Sequence, residues 1–391
     1  MSRPVVDRRE PLTHEEIARY SRHLIIPDVG MEGQERLKAA RVLLVGTGGL
    51  GSPLALYLAA AGVGTIGLVD DDVVDASNLQ RQIIHGTSDI GVHKIDSARA
   101  SILEVNPHVE VVEHRVFLTS ENALEIIDGY DLVIDGTDNF PTRYLVNDAC
   151  VLLGVPNVYG SIFRFEGQLS VFHAAQGPCY RCMFPEPPPP GMVPNCAEGG
   201  VLGIMAGHIG TAQGIEAIKL ITGIGESMIG RLGLYDALAQ EWMYVRVRKD
   251  PTCPVCGPEP TVTELIDYEA FCGMPSHDRA VEAELSLADL EILPTEYAEI
   301  AAKPDVVLLD VREPHEYEIN RIPGATLIPK DTLAGRLSEL DPTKEYVVHC
   351  KSGVRSLEST QLLRGAGLRA RSMRGGINAY SRQVDDAIPT Y

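Results

Sequence analysis

Arg41-Val42-Leu43-Leu44-Val45-Gly46-Thr47-Gly48-Gly49-Leu50-Gly51-Ser52 runs from an unbroken apolar stretch directly into a glycine-rich turn. An uninterrupted apolar run of this length reads as a strand buried on both faces, the form taken by inner strands of a parallel sheet. Gly46, Gly48 and Gly51 stand at G-x-G-x-x-G spacing and predict a tight turn that leads into a helix over residues 53–61. Glycines are needed because phosphate oxygens must approach backbone N–H groups and the positive amino end of a helix. Taken alone, the turn specifies a nucleotide and nothing finer.

Working outward, further apolar strands are expected at 65–69, 109–112 and 131–134, with helices near 94–103 and 141–153. This βα alternation defines an α/β, Rossmann-like doubly wound sheet. Pro185 to Pro190, with Gly191 and Pro194, excludes helix or central strand and reads as an exposed, semi-rigid loop. After Cys253-Pro254-Val255-Cys256-Gly257 the periodicity lapses, and it restarts over 285–293. The expected organisation is a first domain over 1–265, a linker over 266–284, and a small second α/β domain over 285–391 with strands at 306–310 and 346–350.

Composition bounds the function. The 391 residues are 45% hydrophobic and 23% charged, enough for two or three soluble domains. A formal net charge of -20 argues against nucleic acid or an anionic membrane as the main partner. No signal-like apolar run follows Met1-Ser2-Arg3-Pro4 and no stretch approaches a membrane span, so a cytoplasmic setting is expected. Eight cysteines, four of them in two CxxC pairs, suit a metal site and reactive thiols better than a disulfide framework.

The residues after the second strand narrow the nucleotide chemistry. Asp70 stands where a carboxylate accepts hydrogen bonds from ribose hydroxyls, which leaves a nicotinamide oxidoreductase open. Ser77-Asn78-Leu79-Gln80-Arg81-Gln82 and then Lys94 follow, and two cations here would neutralise a triphosphate attacked at its α-phosphorus. Hydride transfer requires no such clamp. Asp138, in Gly136-Thr137-Asp138-Asn139, ends another strand at the carboxyl edge of the sheet and is a candidate Mg²⁺ ligand.

The cysteines carry the rest. Cys179/Cys182 and Cys253/Cys256 offer four thiolates in two chelating loops, a set for structural, tetrahedral Zn²⁺, with two redox-active pairs as the alternative. His349-Cys350-Lys351-Ser352-Gly353-Val354-Arg355 follows an apolar strand, so backbone N–H groups and two flanking cations would favour a thiolate at Cys350. Four residues between Cys350 and Arg355 make a ring smaller than the five-residue phosphatase type, suited to a single terminal sulfur. Cys196, before an apolar helical stretch, is a second candidate nucleophile. Cys150 is assigned to core packing and Cys272 to a loop.

On the motifs Arg19-Tyr20-Ser21-Arg22, the glycine turn, Ser77 to Gln82, Asp138-Asn139 with Arg143, and the paired CxxC, the stretch from 19 to 257 resembles the adenylating domain of the ubiquitin-activating-enzyme superfamily. More narrowly, it resembles the sulfur-carrier adenylyltransferases of the molybdopterin and thiamine pathways. Asp310-Val311-Arg312-Glu313, Ile322-Pro323-Gly324-Ala325, the Cys350 loop and Gly375-Gly376-Ile377-Asn378 resemble a rhodanese domain. The resemblance implies ATP-dependent adenylation of a small ubiquitin-like carrier ending in Gly-Gly, followed by sulfur transfer from a Cys350 persulfide to give a thiocarboxylate, in molybdenum cofactor biosynthesis and related pathways. It places Gly46, Gly48, Gly49, Asp70, Ser77, Asn78, Leu79, Gln80, Arg81, Lys94, Asp138 and Asn139 at the nucleotide. It makes Arg22 a group inserted from a neighbouring subunit, hence a homodimer, and Cys196 an intermediate in some relatives. The sulfur donor it implies is thiosulfate or a cysteine desulfurase, and the 266–284 linker would let Cys350 swing to the acyl-adenylate.

Overall fold

The computed structural model describes residues 3–189, 200–273 and 290–391. The chain divides into two compact units, Met1–Asp278 and Arg279–Tyr391. The first holds an eight-stranded sheet of β1 (Arg41–Val45), β2 (Thr65–Val69), β3 (Glu110–His114), β4 (Leu132–Asp135), β5 (Asn157–Phe163), β6 (Glu166–Phe172), β7 (Arg231–Asp236) and β8 (Glu241–Arg246). Their spatial order is β3-β2-β1-β4-β5-β6-β7-β8. Strands β3 to β5 of that row run parallel, and β6, β7 and β8 extend it antiparallel.

Both faces of β1 are covered, which is why its sequence is apolar without interruption. Leu44 packs with Leu54 and Leu58 of the helix Gly51–Ala61 and with Ile221 of the helix Gly203–Thr222. Leu43 and Val45 face the other way, into a core with Tyr144 and Val146 of the helix Phe140–Leu153. Strand order reverses between β1 and β4, and the carboxyl edge at such a reversal opens a crevice for ligands. Thus the glycine turn after β1 and the Asp138 turn after β4 share one edge.

Three differences from the sequence expectations have physical causes. Strand β3 covers Glu110–His114 rather than 109–112, because the Val109 N–H is spent in a turn on the Asn106 carbonyl. Strands β6 to β8 lack a signal comparable to the buried runs; β8 in particular is exposed along most of its length. The expected 266–284 linker does not start as one. Ile266 accepts a hydrogen bond from Ser120, and the helix Tyr268–Cys272 buries Tyr268 and Cys272 in the first unit, so Cys272 is a helical core residue rather than a loop cysteine.

The second unit is a parallel sheet of β9 (Glu291–Ile292), β10 (Val306–Asp310), β11 (Thr326–Leu327), β12 (Glu345–His349) and β13 (Arg369–Met373), ordered β11-β10-β12-β13-β9. Central β12 sends Val348 into one core and Val347 into the other. Cys350 follows at its carboxyl end.

Candidate functional site

The glycine turn is set by backbone contact. A Cβ at Gly51 would lie 2.1 Å from the Gly46 carbonyl oxygen, so the helix Gly51–Ala61 can begin against the turn only with glycine there. Asp70, at the end of β2, accepts from both the N–H and the hydroxyl of Thr47 at 2.8 Å, while its other oxygen accepts from the Asp72 N–H. It therefore shapes the turn before it meets any ribose. Half-buried Arg81 lies over the turn, its Cγ and Cδ about 3.5 Å from where a Gly49 Cβ would stand.

Lys94 is buried and donates to Asp72 at 2.7 Å, a pairing the sequence reading did not include. Ser77 and Asn78 close a short turn with Asp75, whose carboxylate accepts from the Ser77 N–H and hydroxyl, with half-buried Leu79 and exposed Gln80 following. On the neighbouring turn Asp138 is exposed, and Asn139 caps the helix Phe140–Leu153 by accepting from the Thr142 N–H at 2.9 Å. Arg22 is exposed on the short helix Ser21–Leu24, and Cys196 lies outside the described residues.

Two groups under this site escaped the sequence reading. Buried His85 shares a hydrogen bond with Ser97 at 2.8 Å, and burial, reinforced by Lys94, holds its pKa below the usual imidazole value. Asp135, at the end of β4, accepts from Thr137, and full burial pushes its carboxyl up against the opposing pull of Arg143. Neither belongs to a spacing motif, so the sequence carried no signal for them.

The four CxxC sulfurs converge from 74 residues apart in sequence: Cys179–Cys253 is 3.5 Å, Cys182–Cys256 3.4 Å and Cys179–Cys182 3.9 Å. All four lie within 4.8 Å of one another. Zinc–sulfur bonds of about 2.3 Å at tetrahedral angles put sulfurs roughly 3.8 Å apart, so the donor set fits that ion. Hydrogen bonds from neighbouring thiols push Cys182 and Cys253 down while Cys179 and Cys256 are pushed up, as one group shares its protons. Cys179 stands at the N-cap position of the helix Tyr180–Met183, and Arg181 between the pair is buried on Asp148 at 2.8 Å.

In the second unit the Gly353 N–H donates to Cys350 Sγ at 3.1 Å, and the helix Val354–Gly365 starts there. The Cys350 carbonyl accepts from Ile377 N–H at 2.8 Å; a Cβ at Gly376 would come within 2.4 Å of that oxygen, so the second glycine pair seals the loop floor. Arg355 is held by both oxygens of Glu316, at 2.6 and 2.7 Å, a pairing that no motif announces. Burial alone would raise the Glu316 carboxyl; the Arg355 bonds prevail and hold it down at about 2. Glu316 has no motif position and was not anticipated.

A glycine turn at a sheet switch point, with Arg81 and Lys94 close by, and a cysteine cradled at a parallel-sheet edge suit a bifunctional transferase that joins nucleotidyl transfer to sulfur transfer. Residues 20–255 match the ThiF family and residues 293–383 the rhodanese-like domain. The chain belongs to the ThiF family, in the form fused to a rhodanese-like domain. The probable adenylyltransferase/sulfurtransferase MoeZ of Mycobacterium tuberculosis is 51% identical over 99% of this chain and 98% of its own. The adenylyltransferase and sulfurtransferase MOCS3 of Drosophila yakuba is 45% identical over 97% of this chain and 86% of its own. Escherichia coli MccB, crystallised with MccA-N7isoASN, shares the fold at a TM-score of 0.56 and 20% identity, over 61% of this chain and 74% of its own. The enzyme is thus an adenylyltransferase and sulfurtransferase of this family. Among the described residues no helix is long and apolar enough to cross a membrane.

Proposed function

We propose that the first unit uses ATP to adenylate the terminal carboxylate of ubiquitin-like sulfur-carrier proteins ending in Gly-Gly, and that the second delivers sulfur from a Cys350 persulfide, serving molybdenum cofactor synthesis in the cytoplasm. The observation that supports this reading best is Arg81 lying over the glycine turn after β1, with exposed Asp138 following the neighbouring β4 at the same edge of the sheet reversal. A carboxylate is a poor acyl donor because oxide is its leaving group. Attack of the carrier carboxylate at the α-phosphorus releases pyrophosphate and leaves AMP as the new leaving group. Arg81 and Lys94 neutralise the charge that moves during attack, and the N–H groups of the turn hold the phosphates. Mg²⁺, for which Asp138 is the proposed ligand, would neutralise further phosphate charge. The terminal sulfur of the Cys350 persulfide then attacks the acyl carbon and expels AMP. Two thiol equivalents, oxidised together to a disulfide, reduce the resulting acyl disulfide, releasing the thiocarboxylate and returning the Cys350 thiolate.

In this reading Zn²⁺ on Cys179, Cys182, Cys253 and Cys256 is structural, Arg22 acts in the site of a homodimeric partner, and Cys196 assists transfer of the carrier. Thiosulfate or a cysteine desulfurase supplies the sulfur. The test is pyrophosphate–ATP exchange with a Gly-Gly carrier, followed by mass spectrometry of that carrier. Exchange should need the carrier, vanish in Asp138→Ala, and persist in Cys350→Ala, which should form no thiocarboxylate. Exchange without carrier, or thiocarboxylate from Cys350→Ala, would overturn the assignment.

A further inference from the structure

Tyr391 lies far from the Cys350 loop in sequence and in no recognisable motif, yet it meets three charged side chains, Arg312, Glu316 and Lys351, that surround or adjoin that loop. Its hydroxyl accepts from Arg312 Nη1 at 2.8 Å and donates to Glu316 Oε1 at 2.9 Å. That same Glu316 carboxylate holds Arg355, whose charge senses Cys350. The face of the ring receives Lys351, the residue after Cys350, with Nζ 4.9 Å from the centroid. The backbone is pinned as well: Asn378 Nδ2 donates to the Tyr391 carbonyl at 3.3 Å, and the Asn378 N–H donates to the Lys351 carbonyl. Ile388 anchors the segment in the core.

Arg312 is wholly buried and already satisfied by both oxygens of Asp310 and by Asn320, so the hydroxyl is not needed to pay for that charge. What Tyr391 adds is orientation. It fixes the carboxylate that aims Arg355, and it parks the flexible Lys351 ammonium on a ring face, where cation–π attraction limits its reach.

We propose that Tyr391 is a positioning residue for the sulfur donor: it sets Lys351 and Arg355 to receive an anionic donor whose leaving group is an oxyanion, thiosulfate being the type. The inference rests on Cys350 sulfur transfer. In the step concerned the Cys350 thiolate attacks the outer sulfur of thiosulfate, the new S–S bond forms, and the old one breaks with its electron pair leaving on sulfite. Total charge is conserved at -3, so two cations at the mouth act on both the incoming and the departing dianion.

The full-length enzyme is assayed for thiosulfate:cyanide transfer, whose ping-pong kinetics separate donor from acceptor. Loss of all activity in Cys350→Ala establishes the underlying reaction independently. Tyr391→Phe keeps the ring and loses the two hydroxyl bonds; the KM for thiosulfate should rise roughly three- to tenfold while kcat and the KM for cyanide hold. Tyr391→Ala also removes the ring face that receives Lys351 and should add roughly a further fivefold. Lys351→Ala and Tyr391→Ala should combine less than additively, because both remove the same ring–ammonium contact. An unchanged thiosulfate KM in Tyr391→Phe, a parallel change in both KM values tracking a lowered Tm, or fully additive Lys351 and Tyr391 effects would each overturn the proposal.

Discussion

Replacing Asp148 by alanine should destabilise the flank of the first unit's four-cysteine cluster more than any surface change. Its side chain is fully buried and accepts from Arg181 Nε and Nη2 at 2.8 to 3.1 Å, from Tyr268 Oη at 2.8 Å and from Asn147 Nδ2 at 2.9 Å. Arg181, 2% exposed, sits between the Tyr144 and Phe271 rings, at 5.0 and 4.5 Å from their centroids. The substitution leaves that guanidinium buried without a counter-charge, which costs about 3–5 kcal/mol. At about 2–4 °C per kcal/mol for a unit of this size, its melting transition should fall by roughly 6–20 °C. Because Arg181 lies between Cys179 and Cys182, zinc should also pass faster to a metallochromic indicator. Calorimetry and the indicator assay on the full chain read both effects. Asp148→Leu with Arg181→Met should recover most of the loss, since a thioether packs between two rings with no charge to satisfy. A drop below about 3 °C, or a double variant no better than the single, would refute the buried-charge argument.

Acid should destabilise the second unit in two steps. Burial holds His349 at about 4 despite Asp310, and Glu316 is held at about 2 by Arg355. Both folded values are depressed, so stability is full above the ordinary imidazole range and is lost as pH falls, through His349 between about 6.5 and 4 and through Glu316 between about 4.5 and 2. Urea titrations across pH should show both windows, and Glu316→Gln should flatten the lower one. Gly376→Ala places a Cβ 2.4 Å from the Cys350 carbonyl oxygen at a φ of +59°. The left-handed conformation alone costs about 1–2 kcal/mol, so thiosulfate:cyanide activity should collapse while carrier-dependent pyrophosphate exchange is retained; unaltered sulfur transfer would show that the loop floor tolerates a side chain. Arg81→Ala should slow pyrophosphate exchange on the order of 10²-fold, read against wild type at saturating ATP; a change under threefold would remove Arg81 from the charge clamp.

Much of this protein is legible in its sequence because the signals are local. The apolar run of β1 states that both its faces are buried, the glycine spacing states where backbone must approach backbone, and each CxxC states a two-sulfur chelating loop. Each depends on residues a few positions apart, where covalent geometry alone constrains the outcome. The functional candidates Arg81, Asp138 and Cys350 were found the same way, as charges or thiols placed just after strands.

Long-range partners were decided only by the tertiary structure. Nothing local to Arg355 announces Glu316, 39 residues upstream, and nothing near Cys350 announces Tyr391. Likewise the 266–284 stretch lacks periodicity and reads as a linker, yet Tyr268 is claimed by Asp148 from 120 residues away. Buried charges and buried hydroxyls must find a partner wherever the fold brings one. Sequence therefore determines which strands, turns and reactive groups exist; the packed fold determines which charges remain free for chemistry and which are already spent on each other.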